Sequence, residues 1–226
     1  MSKFKMNRRK TIVITGASSG VGLDICKHFD SIGWRVIGLG RRVAALKVGK
    51  VEFIQADARA WVLYNIMHKT NTIDVVVNSA AIFTSTPLYQ MKHSEIVNMV
   101  EVNLMSVILF TRQCLHLMKK GARIINISSV AGTHGIENQS VYSSTKAGIN
   151  GFFESLQVEL LPRGILLSTI NAGGINTPLW DKHKYKGDRK KLLKTSDIVS
   201  LVDYIVALPQ HVVLKSVTLY PTNEIH

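Results

Sequence analysis

Short runs of β-branched and apolar residues return along this chain between longer stretches of helical periodicity. That alternation constrains the fold more than any other feature. The runs are TIVIT (11–15), RVIGL (35–39), VEFIQ (51–55), DVVVN (74–78), RIINIS (123–128), LLSTIN (166–171) and SVTLY (216–220). Most are apolar without alternation, as in strands covered on both faces. Helical patterns fill the gaps at roughly 20–32, 59–69, 93–118, 140–161 and 196–207. Such alternation predicts an α/β fold: a doubly wound parallel sheet of about seven strands, right-handed crossovers and helices on both faces. The 226 residues suit a single domain over 1–226, since no repeat, low-complexity tract or linker divides them.

Charge narrows the function classes. The formal net charge of +13 sits mostly in two short segments. A basic N-terminal tail, 1–10, holds Lys3, Lys5, Arg8, Arg9 and Lys10 and no acid. Residues 182–194 hold seven Lys and Arg against Asp188 alone. The body between is nearly neutral, which argues against a general nucleic-acid binder with a basic face. The N-terminus does not read as a secretory leader, and the most apolar run, LMSVILF (104–110), is far too short to span a membrane. Cys26 and Cys114 form no disulfide framework, no histidine shows metal-ligand spacing, and a reducing cytoplasm fits.

Two local patterns carry chemistry. After the first strand, TGASSGVG (15–22) leads straight into a helix with glycines spaced G-x-x-x-G-x-G. Glycines there let a diphosphate approach backbone N–H groups at a helix N-terminus. At the end of the second strand, GLGRR (38–42) offers Arg41 and Arg42 and no acid. Arginine accommodates a 2′-phosphate, so the pair favours NADP(H) over NAD(H); it also fits two solvated side chains at a strand end. Farther on, SVYSSTKAG (140–148) places Tyr142 and Lys146 at i and i+4 on one helical face. Ile149, Phe152, Phe153, Leu156, Leu160 and Leu161 give that helix a buried stripe. Its first turns border the cleft beyond the carboxyl ends of the strands.

TGASSGVG, NSAA (78–81), VNL around Asn103, ISSVAG (127–132) and YSSTK (142–146) stand in order and at about the spacing of the short-chain dehydrogenase/reductase family. The chain resembles that family over almost its whole length, thinning beyond about residue 180. The resemblance implies a Rossmann-type fold and an oxidoreductase interconverting a carbonyl and a secondary alcohol. It implies Tyr142 as catalytic acid or base, and Lys146 on the nicotinamide ribose, lowering the phenol's pKa. Ser129 would hold the substrate oxygen, and Asn103 would complete a proton relay. It further implies cofactor contacts from Thr15, Gly16, Ser18, Ser19, Gly20, Val21 and Gly22, from Arg41 and Arg42, and from Asp57 and Ala58. Asn78, Ala80, Gly173, Ile175 and Thr177 complete that set. Asp57 reads equally as a cap for the helix that follows.

Two positions depart from the family pattern. Ala81 replaces a glycine in N-N-A-G, and Ala172 replaces the proline of Pro-Gly after the sixth strand. Both bear on cofactor affinity, and most on the nicotinamide side. Residues 178–196 match the family's substrate lid. Their positive charge fits attraction of an anionic substrate and equally a solvated loop. Association into a homodimer or homotetramer is implied through the helices matching 93–118 and 140–161. A catalytically silent NADP(H)-binding regulator is the alternative reading, and a nucleic-acid-binding protein a lesser one.

Overall fold

The computed structural model describes residues 8–57, 59–60, 62–182 and 187–224. Seven strands form one all-parallel sheet: β1 (Thr11–Thr15), β2 (Arg35–Gly40), β3 (Glu52–Gln55), β4 (Ile73–Asn78), β5 (Met118–Ser129), β6 (Leu166–Ala172) and β7 (Ser216–Leu219). Their spatial order is β3-β2-β1-β4-β5-β6-β7. The chain runs outward from β1 to β3, returns to β4 beside β1, and then runs outward the other way. The switch point lies between β1 and β4, where Ile12 pairs with Val75 and Ile14 with Val77. A ligand cleft belongs beyond the carboxyl ends of these strands.

The helices are α1 (Gly20–Ser31), α2 (Leu63–Met67), α3 (His93–Val100), α4 (Ser106–Cys114), α5 (Ser140–Leu160) and α6 (Thr195–Ala207). They cover both faces because the strands are apolar on both. Val13, Ile37, Val76 and Ile124 pack with Phe110, Ile149, Phe153 and Leu156 from α4 and α5. Ile12, Ile14, Ile125 and Ile127 point the other way, onto Ile25, Phe29, Ile198 and Val202 from α1 and α6. Each such side chain contributes about 1.5–3 kcal/mol on burial. β1 and β6 are buried throughout, whereas β7 at the edge alternates between exposed and half-buried.

Two boundaries differ from the sequence expectation. The pattern read as a helix over 59–69 is helical only over Leu63–Met67, preceded by a turn in which Asp57 O accepts from Ala60 N. The pattern read to 118 stops at Cys114. Leu117 O accepts from Ile73 N at 2.9 Å, and Met118 pairs with Ile73, so β5 begins earlier than its apolar run. The exposed Lys119 and Lys120, followed by Gly121 at φ +95°, hide that extension in the sequence.

α3 and α4 are joined by a π-helical segment, Glu101–Met105, into one rod, His93–Cys114. By length and apolarity this rod is long enough to cross a membrane, unlike LMSVILF alone. Here it lies against the sheet, with Met99, Val102, Val107 and Phe110 in the core.

The described part of the basic tail is anchored. Arg8 Nη1 donates to Asp74 Oδ2 at 2.8 Å, and Arg9 Nε donates to the Gly33 carbonyl at 2.8 Å. Lys10 Nζ sits 5.3 Å from the centre of a Trp34 ring. Lys3 and Lys5 lie outside the described residues.

Candidate active site

A cleft of about 1330 Å³ runs along the carboxyl ends of the strands. From Arg41, after β2, to Gly173, after β6, it crosses β1, β4 and β5, a span of about 19 Å at the usual interstrand spacing. An extended dinucleotide fits that reach.

The turn between β1 and α1 forms its floor. Gly16 has φ +72°, and a Cβ there would lie 2.8 Å from Ala80 N. Gly20 has φ +56°, and its Cβ would meet Thr177 Cγ2 at 3.2 Å. The turn is tied to β4, because Thr15 Oγ1 accepts from Ser79 N at 3.1 Å and Ala80 N at 3.2 Å. Ser19 caps α1 without a side-chain hydrogen bond, so the first-turn N–H groups have no side-chain cap beside the cleft that Ser18, Ser19, Gly20 and Val21 line. Backbone donors, a helix N-terminus and glycines too crowded for a side chain fit the diphosphate of a nicotinamide dinucleotide. Gly22 stands behind the lining, where a Cβ would lie 2.5 Å from Gly16 O. It serves the packing of α1 on β1.

At the β2 end, Arg41 and Arg42 are exposed on the cleft wall. Asp57 faces the same space. Its carboxyl is held below its ordinary value first by the Arg59 side chain, whose Nε donates to Oδ1 at 2.7 Å, and also by the charges of Arg59 and Arg41. Asp57 Oδ1 also accepts from Arg59 N at 3.0 Å. Asp57 thus lines the cleft and closes a local turn at once. Ala58 lies outside the described residues.

At the β5 end, Ser129, Tyr142 and Lys146 come together on the wall of the cleft. β5 delivers Ser129 and α5 delivers the other two. Ser129 lies beside Tyr142 and favours the ionised phenol, and its Oγ accepts from Ala131 N at 3.2 Å. Lys146 Nζ donates to the Ile127 carbonyl at 3.2 Å and lies 5.7 Å from the Tyr142 ring centre. Burial pushes the phenol up to about 12, with the Ser129 hydroxyl pulling the other way. Burial also pushes the Lys146 ammonium down to about 8. The phenol thus stands above its ordinary value, not below it. The ammonium approaches the ring, and desolvation of the phenolate dominates.

Asn103 is fully buried and does not line the cleft. It occupies the π-helical segment, an irregularity frequent at functional sites. Its Oδ1 accepts from Ile82 N and its Nδ2 donates to Ile82 O, both at 2.8 Å, with Thr145 Oγ1 at 3.4 Å. The amide thus clamps the strand-end loop 79–82 to the rod and to α5. Asn78 is buried too, donating to Thr111 Oγ1 at 3.1 Å. Ala80, Ala81, Ala172, Gly173, Ile175 and Thr177 all line the cleft.

Three residues that the sequence reading passed over belong to this end. Phe83 packs edge-on to Tyr142, ring centres 5.0 Å apart, and to Trp180 at 5.4 Å. Trp180 sits in the lid and donates from Nε1 to Ile175 O at 2.9 Å. Glu224 reaches the turn after β6. An aromatic shortly after NSAA was a weak signal for Phe83, and nothing local marked Glu224. Within the lid, Arg189 bonds Asn176 Oδ1, Asp181 and Thr177 O. Lys190, Lys191 and Lys194 do not line the cleft. His183, Lys184, Tyr185 and Lys186 lie outside the described residues.

The sequence profile of the short chain dehydrogenase family matches residues 10–186. The chain belongs to this family. Among similar members, an uncharacterized oxidoreductase of Staphylococcus epidermidis is 30% identical, covering 98% of this chain and 100% of its own length. The serine 3-dehydrogenase of Agrobacterium fabrum is 29% identical, covering 95% of this chain and 94% of its own. A solved serine dehydrogenase in its closed form with NADP⁺ shares the fold, with a TM-score of 0.84 over 96% of both chains at 24% identity. This short-chain dehydrogenase is thus an oxidoreductase with a Rossmann-like sheet and a nicotinamide-cofactor cleft.

Proposed function

We propose that this protein interconverts a carbonyl and a secondary alcohol using NADP(H), with Tyr142 exchanging the proton. One observation carries the reading: Ser129, Tyr142 and Lys146 line one end of a cleft whose other end presents Arg41 and Arg42. The two arginines would hold the 2′-phosphate, and the α1 N-terminus with Ser18 and Ser19 the diphosphate. Bound NADPH supplies the hydride to the carbonyl carbon. A phenol raised to about 12 keeps its proton at neutral pH, which suits donation to a carbonyl oxygen as charge develops there. Ser129 orients that oxygen and stabilises the charge. Asn103 acts as a positioning residue, fixing the loop that carries Phe83 against Tyr142.

The NADP⁺ of the serine dehydrogenase neighbour supports the cofactor choice. We further assign an anionic substrate, drawn by the positive charge of the lid sequence. The chain acts as one domain in the cytoplasm, as a homo-oligomer through the faces where Val97, Met105, Val158 and Leu161 are exposed. The test is NADPH consumption over a panel of anionic and neutral ketones and aldehydes. Turnover with anionic members, slowed by salt, is expected. NADPH binding without turnover across the panel would remove the catalytic assignment.

A further inference from the structure

Beyond β7 the chain folds back on the cleft. Glu224 N donates to Pro221 O at 2.9 Å, closing a turn that aims the Glu224 side chain at the segment following β6. There its Oε2 accepts from Gly174 N at 2.9 Å. The approach is close: a Cβ on Gly173 would lie 2.9 Å from Oε2, and one on Gly174 2.8 Å from Oε1.

The segment so held has little covalent stiffness of its own. Ala172 stands where the family pattern has a proline, so one backbone angle is not fixed covalently, and two glycines follow. Beyond Gly174 it is also held by Trp180 Nε1 on Ile175 O and by Arg189 on Asn176 Oδ1 and Thr177 O, whereas the other anchors at Gly173 and Gly174 are backbone bonds. Gly173 N donates to Leu219 O at 2.8 Å, Leu193 N to Gly174 O at 2.9 Å, and Asn176 N to Leu193 O at 2.8 Å. Ala172 is also the register partner of Ser129, so this segment borders the reacting end of the cleft. A charged acceptor on a backbone N–H is among the stronger hydrogen bonds.

We propose that Glu224 is a positioning residue: its bond to Gly174 N–H replaces the rigidity that Ala172 leaves out, holding the turn for the nicotinamide half of the cofactor. The cofactor clause rests on the function proposed above, whereas the latch itself does not.

Glu224→Ala and Glu224→Gln separate the two. Hydrogen exchange over 172–177 reads the latch without any ligand. Calorimetric titration with NADPH and with adenosine 2′,5′-bisphosphate, which lacks the nicotinamide half, reads positioning. In Glu224→Ala we expect about tenfold faster exchange confined to that segment and about tenfold weaker NADPH binding, with bisphosphate affinity unchanged. Glu224→Gln, whose amide oxygen still accepts, should stay within about threefold of wild type. Unchanged exchange in Glu224→Ala, or equal weakening of both ligands, would overturn the proposal. If the wild type binds neither ligand, the NADP(H) reading fails, and exchange alone decides the latch.

Discussion

Lys146 lies one turn beyond Tyr142 on α5, and its Nζ stands 5.7 Å from the centre of the phenol ring, donating to the Ile127 carbonyl instead of the phenol oxygen. Lys146 is buried and Tyr142 half-buried on the cleft wall, and each resists its charged form: Tyr142 is raised to about 12 and Lys146 lowered to about 8. The pair is therefore held at a cost in stability, as befits a site kept for chemistry.

That cost has a pH signature. Below about pH 8 the folded and unfolded chains both carry the Lys146 proton, and the folded chain carries it buried. Between about 8 and 10.5 the unfolded chain binds more protons, so stability should rise with pH through that window. Between 10 and about 12 the folded chain keeps the Tyr142 proton that the unfolded chain loses, and stability should fall again. Lys146→Met should remove the first rise and stabilise the protein near neutrality, on the order of 3 kcal/mol. Denaturant titrations of both proteins from pH 7 to 10 check this.

Arg41 and Arg42 are assigned to the 2′-phosphate. Replacing both by alanine should weaken NADPH binding about tenfold or more while leaving NADH nearly unchanged, since charge-assisted bonds to phosphate contribute about 1.5–3 kcal/mol. Titration calorimetry with both cofactors reads the difference. Equal losses would show that the arginines act on something other than that phosphate.

Asn103 satisfies both backbone groups of Ile82 from a fully buried position. Asn103→Ala leaves a half-buried donor and acceptor on Ile82 without their partner, so a loss of about 1–3 kcal/mol is expected in chemical denaturation. Asn103→Asp keeps the acceptor but buries a carboxylate with one oxygen against the Ile82 carbonyl, and should cost at least as much. A substitution without effect would mean that the loop is held elsewhere.

Much of this was legible in the sequence, for identifiable reasons. β1, β4 and β6 are buried on both faces, so their apolar runs announce strands without ambiguity. Tyr142 and Lys146 declare themselves by helical spacing. β5 was truncated because Lys119, Lys120 and Gly121 interrupt its apolar pattern, and only pairing with Ile73 shows that they are strand. Tertiary contact also decided the rest. The Phe83–Trp180 wall joins residues far apart in sequence, and Glu224 reaches Gly174 across β7. Burial of the Tyr142–Lys146 pair, which sets the direction of both pKa changes, has no local sequence signal.

The most direct test is a single-turnover transfer of deuterium from C4-labelled NADPH to a ketone that the protein reduces, run on wild type and Tyr142→Phe. Label should appear on the alcohol carbon of the wild-type product, and the rate should fall by about 10²–10⁴-fold in the variant while NADPH still binds. Label transfer at an undiminished rate in Tyr142→Phe would contradict the account.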